Sequence, residues 1–197
     1  MADFALSEEQ EMLRELAHEF ARDSVRPHAE HWDTNSEFPI EAITEAHSLG
    51  LTNLHIPAEY GGMGMGILDE VLVSEEFSWG DPGFSTAAYS NGLTVGPIIT
   101  GGTEEQKVEY LGRLVKDPKI ASYCVTEPGA GSDVAGIQTT AVRDGDHYIL
   151  NGQKMWITGA GQADWFFVLA YTDRSAGYKG MSAFIVESSW DGVSLGK

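Results

Sequence analysis

Residues 123–133 read Tyr123-Cys124-Val125-Thr126-Glu127-Pro128-Gly129-Ala130-Gly131-Ser132-Asp133, and here the chain changes character. A short apolar run from Ile120 ends in a hydroxyl residue at Thr126; Glu-Pro-Gly and small residues follow, then a second hydroxyl at Ser132. The first part reads as a strand bounded by turn signals. The second reads as a loop, because Pro128, Gly129 and Gly131 do not sustain a ladder. Consecutive amides without strand partners need an acceptor, which suits an anionic or carbonyl-rich ligand. The plainer reading is a Gly-rich turn between strands. The pattern is not a Walker loop, since no Gly-Lys-Ser/Thr follows, nor the dinucleotide fingerprint, which needs a third glycine and a following helix.

Upstream of this stretch the texture is helical. Ser7-Glu8-Glu9-Gln10 has the form of a capping box, and Leu13, Leu16, Ala17, Phe20, Ala21 and Val25 then recur at helical spacing until Pro27, which helps end the helix. A second helix is expected over Ile40 to Leu49, with Pro39 at its first turn and Gly50 as its stop. The glycines between Tyr60 and Ile67 predict a loop, with helices to follow over about 67–79 and 82–91. Thr103-Glu104-Glu105-Gln106 is a second capping box, opening a helix that ends near Lys116.

Downstream the periods shorten. Thr139 to Arg143 and His147 to Leu150 flank Asp144-Gly145, a hairpin signal, and Trp165 to Tyr171 and Met181 to Glu187 read as further strands. The predicted fold class is α+β: an all-helical domain over residues 1–117, then a partial antiparallel β domain over residues 118–197, divided near Asp117-Pro118. Val193 to Lys197 resembles the start of another strand, and five short strands with an open edge predict further chain beyond it.

Composition narrows the function classes. A formal net charge of −18 argues against a nucleic-acid surface, which needs clustered Lys and Arg, but not against a pyrophosphate held locally by backbone amides. A lone Cys124 gives no internal disulfide and suits a reducing compartment. No apolar run approaches the about 20 residues that span a bilayer, and no basic leader precedes the first helix. The expected setting is cytoplasmic, or the mitochondrial matrix in a eukaryote.

A second segment carries chemistry: Gly152-Gln153-Lys154-Met155-Trp156-Ile157-Thr158-Gly159. An indole followed two residues later by a hydroxyl, just before a glycine turn, offers a stacking surface and a hydrogen bond to a planar heterocycle. The plainer reading is a strand end with a core Trp.

Together, the Tyr123–Ser132 and Gln153–Thr158 runs resemble the two flavin-site signatures of the acyl-CoA dehydrogenase family. The resemblance extends through Leu51-Thr52-Asn53-Leu54-His55-Ile56-Pro57, Gly61-Gly62, Ser74-Glu75-Glu76, Pro97-Ile98-Ile99, Glu105-Gln106-Lys107 and Tyr110-Leu111, and so covers nearly the whole chain. The wording of the first signature is most like the medium-chain branch. The resemblance implies N-terminal helices, a middle β domain and a C-terminal four-helix domain, the last absent from these residues. It implies FAD as cofactor and α,β-dehydrogenation of a short- to medium-chain fatty acyl-CoA, with an electron-transfer flavoprotein as partner and a homo-oligomeric, commonly tetrameric, assembly.

By position, the resemblance places Tyr123, Val125 and Thr126 along the flavin ring and its carbonyl edge, and Gly131 and Ser132 by the ribityl–phosphate region. Ser132 also touches the CoA side of the substrate. Trp156 packs against the isoalloxazine, Ile157 offers backbone contacts, and the Thr158 hydroxyl reaches N5. The family's catalytic Glu lies in its C-terminal region and no residue here matches it, so the resemblance implies that these residues do not catalyse the reaction alone.

Two departures stand out. Gly159 replaces the family's usual Asn, and Tyr89 stands in an acyl-pocket helix where the medium-chain branch has an acid, so the ring reshapes the pocket. An oxygen-using acyl-CoA oxidase-like flavoenzyme and a non-catalytic CoA- or partner-binding module are the alternatives.

Other residues invite sharper readings that local geometry weakens. Glu75-Glu76 is not a paired-carboxylate site, since adjacent helical residues point apart. His28 and His31 lack further converging ligands for a metal. Cys124 in a strand reads as a small hydrophobe rather than a nucleophile, and no Gly-x-Ser-x-Gly elbow supports hydrolase chemistry.

Overall fold

The structure, a computed structural model, describes residues 5–196. It divides into two compact units between Lys119 and Ile120.

The helical unit starts where the capping box places it. Ser7 Oγ accepts from the Gln10 amide at 3.2 Å and Gln10 Oε1 accepts from the Ser7 amide at 3.1 Å, opening α1 (Glu8–Phe20). Contrary to the sequence expectation, Pro27 does not end the helical path. A wide π-type turn (Ala21–Val25) and a 3-10 turn (Arg26–His28) carry the chain into α2 (Ala29–Asn35). Pro27 lies in the opening of the 3-10 turn, where its missing N–H removes no bond. Then follow α3 (Ile40–Ser48), α4 (Ile67–Gly80) and α5 (Pro82–Ala88), the last capped by Asp81 Oδ2 accepting from Phe84 N at 2.6 Å.

The expected helix over 82–91 is in fact two, because α6 (Ser90–Gly101) starts anew after Tyr89. Gly92, Gly96 and Pro97 disfavour α6 locally, but Thr94, Val95 and Ile98 are buried, and tertiary packing overrides propensity. The second capping box, at Thr103, opens α7 (Glu104–Gln106), which passes through a π-type turn (Lys107–Leu111) into α8 (Gly112–Lys116). Phe20, Phe77 and Phe84 form the aromatic centre of this unit, with ring centroids 5.1–5.8 Å apart.

The β unit is a five-stranded sheet: β1 (Ile120–Cys124), β2 (Thr140–Asp144), β3 (His147–Asn151), β4 (Ala163–Tyr171) and β5 (Met181–Glu187). The hairpin at Asp144-Gly145 forms, with Asp144 opposite His147 and Gly145 at φ 61°. The sheet is mixed rather than wholly antiparallel. β4 pairs antiparallel with β5 but parallel with β1, Tyr123 facing Phe167, and it meets β2 in parallel at Thr140–Tyr171. The long connection from β1 to β4 accounts for this, since only hairpins force antiparallel pairing. Nine-residue β4 is the spine of the unit. Residues 193–196 form no strand, contrary to expectation; Val193 instead packs against the Cys124–Ala163–Phe166 cluster, and Lys197 lies outside the described residues.

Candidate functional site

Alternation along β1 determines what meets what. Tyr123 turns to one face of the sheet, where its ring stacks on Phe167 at 5.2 Å and 10° between planes. Ser122 and Cys124 turn to the other. There Cys124 and Phe166 pack with Ile157, and Ser122 Oγ donates to Thr158 O at 2.7 Å. The segment before Thr158 is tied down as well: Met155 N donates to Thr126 O at 2.9 Å, and Lys154 Nζ to Val125 O at 3.1 Å. The two signature segments, about 30 residues apart in sequence, are therefore side by side.

Under this junction sits a carboxylate to which sequence reasoning assigned no role. Glu127, 6% exposed, accepts from Lys154 Nζ (2.9 Å), Gln138 N (2.5 Å), Thr139 N (3.0 Å) and the Thr139 hydroxyl. Burial by itself pushes the carboxyl up. The hydrogen bonds from Lys154, Thr139 and the Gln138 and Thr139 amides outweigh it and hold the group at about 2, so Glu127 is a structural anion and not a proton carrier. Lys154 uses its remaining donors on Val125 O and Leu169 O (2.7 Å). Gly152 is required here, because a Cβ would lie 2.2 Å from Thr139 Oγ1. Both charges stand inside the quoted segments, but a pairing across 27 residues leaves no local signal.

Trp156 is not the core residue of the plainer reading. It is 84% exposed and takes φ 60°, a left-handed conformation that costs a non-glycine residue about 1 kcal/mol or more. An indole held outward on strained backbone is the observation that favours a ligand face. Gly159 lies at φ 70° and ψ 9°, a left-handed region that glycine adopts without strain and that Asn also tolerates. Thr158 is exposed and follows directly.

In the loop after β1, Glu127 and Ala130 bond each other's backbone, and among the described residues none accepts from the amides of Gly131 and Ser132. Both residues are exposed, and a Cβ on Gly131 would meet nothing within 4 Å. Of the eight sequence-predicted residues, Val125, Thr126, Trp156, Ile157 and Thr158 come together at the junction. Gly131 and Ser132 lie further along the same loop, and the Tyr123 ring is on the sheet face opposite Ile157.

The helical unit has a separate cavity of about 300 Å³ lined by Ile67, Glu70, Val71, Ser74, Ser85, Thr86 and Tyr89. Burial foremost, then the Glu70 charge, pushes the Tyr89 phenol up, so it stays neutral; its buried hydroxyl has no partner among the described residues. Glu70 is itself bonded to His55. Cys124 is buried and its thiol is pushed up to about 12 by burial, which removes it as a nucleophile at neutral pH. Glu76 pairs with His18 of α1 at 2.7 Å, His31 with Glu37, and His28 stacks on Trp32.

Comparison with known proteins places this geometry. Residues 7–117 match the model of the acyl-CoA dehydrogenase N-terminal domain and residues 122–197 that of its middle domain. The probable medium-chain specific acyl-CoA dehydrogenase 2, mitochondrial, of Caenorhabditis briggsae is 46% identical over 98% of this chain and 48% of its own. The solved butyryl-CoA dehydrogenase of Megasphaera elsdenii superposes with a TM-score of 0.91 at 37% identity, over 97% of this chain and 51% of its own. An acyl-CoA dehydrogenase from Bacillus anthracis, solved in complex with FAD, superposes at 0.87 and 36% identity over 100% of this chain and 34% of its own. The chain spans about half the length of the curated relatives it matches. With both domain models matched over nearly every residue, the chain belongs to the acyl-CoA dehydrogenase family.

Proposed function

We propose that this chain is the flavin- and acyl-binding portion of an FAD-dependent dehydrogenase of short- to medium-chain acyl-CoA thioesters. One observation carries the reading: the Val125–Thr126 and Trp156–Thr158 segments are stapled together, with an exposed, left-handed Trp156 at their junction. The residues present fit the cofactor. Trp156 offers an aromatic face, Thr126 and Thr158 offer hydroxyls beside it, and the amides of Gly131 and Ser132 lack protein acceptors among the described residues.

FAD, when bound, supplies the hydride acceptor and the two-electron store. The chain's own task is to hold and polarise. Thr158 is assigned to N5, where a hydrogen bond to developing charge contributes about 1–3 kcal/mol. Thr126, with Tyr123 and Val125, is assigned to the ring edge, Ile157 to backbone contacts, and Gly131 and Ser132 to the phosphate side, Ser132 also meeting CoA. The acyl tail is assigned to the α4–α5 cavity, whose volume is at the small end for a ligand pocket and whose lining includes Tyr89. The base that takes the α-proton is assigned to a glutamate outside these 197 residues, electrons leave to an electron-transfer flavoprotein, and the assembly is a homo-oligomer. No helix among the described residues is long and apolar enough to cross a membrane.

Anaerobic addition of butyryl-CoA to the FAD-loaded parent protein tests this reading: bleaching of the flavin's visible band is expected. A spectrum unchanged by butyryl-, hexanoyl- and octanoyl-CoA contradicts it.

A further inference from the structure

The chain from Gly152 to Thr158 belongs to no strand, so no ladder holds it in place. Its tethers are the Met155–Thr126 and Ser122–Thr158 bonds, the packing of Ile157 against Cys124 and Phe166, and the Lys154 side chain. Lys154 is 10% exposed and directs its ammonium at three acceptors: Val125 O, Leu169 O and Glu127 Oε1. Three donors, all used, leave it no second arrangement. Glu127, 4% exposed in its side chain, in turn grips the Gln138 and Thr139 amides at the entry to β2. A buried ammonium alone is costly, and this pair is neutral only as a pair. The contacts of the two side chains thus converge on the β1 exit, the β2 entry, β4 and the residue two before Trp156.

We infer that Lys154 and Glu127 are positioning residues: their buried ion pair locks the Met155–Thr158 segment onto the exit of β1, and in doing so sets how well the flavin site forms. The second half of this statement rests on the flavin reading; the first half does not. The pair touches the sheet at Leu169 O of β4 but replaces no backbone bond of the β1–β4 or β4–β5 ladder, so its loss leaves those ladders their own bonds.

The test compares the purified protein with Lys154→Met and with the charge-free pair Glu127→Gln/Lys154→Met. Amide exchange is read by segment, and FAD affinity by quenching of flavin fluorescence. The single variant strands a carboxylate and is expected to lose stability. The double variant is expected to keep the exchange protection of β4 and β5, while residues 153–158 exchange about tenfold faster and FAD binds about tenfold more weakly, each equal to about 1.4 kcal/mol. Unchanged exchange over 153–158 in the double variant overturns the lock. Faster exchange with unchanged FAD affinity overturns its role in the site. A double variant that does not fold shows the pair to be part of the sheet's own stability and overturns the inference. Should the unsubstituted protein bind no FAD, the flavin reading fails, and the exchange data alone decide the lock.

Discussion

The two units solve the same problem with opposite chemistry. In the helical unit, Phe20, Phe77 and Phe84 meet ring against ring, Ser7, Asp81 and Thr103 cap helix ends, and the buried polar contact between Asn91 and Asn53 is neutral. In the β unit the decisive contacts beside the candidate site are ionic and buried, centred on Glu127 and Lys154. Apolar packing tolerates small shifts, whereas a charge pair with every donor used fixes one arrangement. The difference teaches where conformation is specified: a site that must hold an exposed indole on left-handed backbone is built on a fixed polar network, and the bulk of the chain is not.

The comparison can be broken from the apolar side first. Phe77→Ala removes a fully buried ring and is expected to destabilise the helical unit by about 3–5 kcal/mol in urea unfolding. Exchange protection of β4 and β5 should change far less; a uniform loss across both units contradicts the contrast.

Acid attacks the other side. Glu127 is held down to about 2 from an ordinary value near 4.5, so its folded form favours the carboxylate. Its contribution is complete above pH 4.5 and is lost as pH falls from there through 2, about 3 kcal/mol in all. Protection near Thr139 and Lys154 should fall in that window before the Phe77 region opens. Simultaneous loss in both units contradicts the contrast.

Smaller changes sharpen the picture. Ser7→Ala removes one half of a capping box and is expected to cost about 1 kcal/mol, seen as fraying of α1. Trp156→Gly relieves the left-handed strain and exposes no core, so stability should shift by less than about 1 kcal/mol while flavin fluorescence quenching weakens. A large drop in melting temperature would show that the indole supports the fold instead.

How much of this was legible follows the same divide. Signals written within a few residues came through: the capping boxes at Ser7 and Thr103 and the hairpin at Asp144-Gly145 all form. What failed depended on distant partners. Helix α6 contains three glycines and Pro97 and is held by burial of Thr94 and Val95, while Asn91 Nδ2 donates to Asn53 and to Lys119 O. The helical turns through Pro27 persist for want of any demand on its N–H. Parallel pairing of β1 with β4 leaves no turn signature, and the partnership of Glu127 with Lys154 joins two ordinary charges 27 residues apart. The residue types of the candidate site stand in the two signatures. Its backbone, above all the positive φ of Trp156, was not, because no sequence rule puts Trp in that region.

A crystal structure of the protein with FAD bound bears on the central claim most directly. The account predicts the isoalloxazine against Trp156, with the Thr126 and Thr158 hydroxyls at its polar edge and the Lys154–Glu127 pair intact behind them. A ring bound elsewhere, with Trp156 and Thr126 both free of it, would contradict the account.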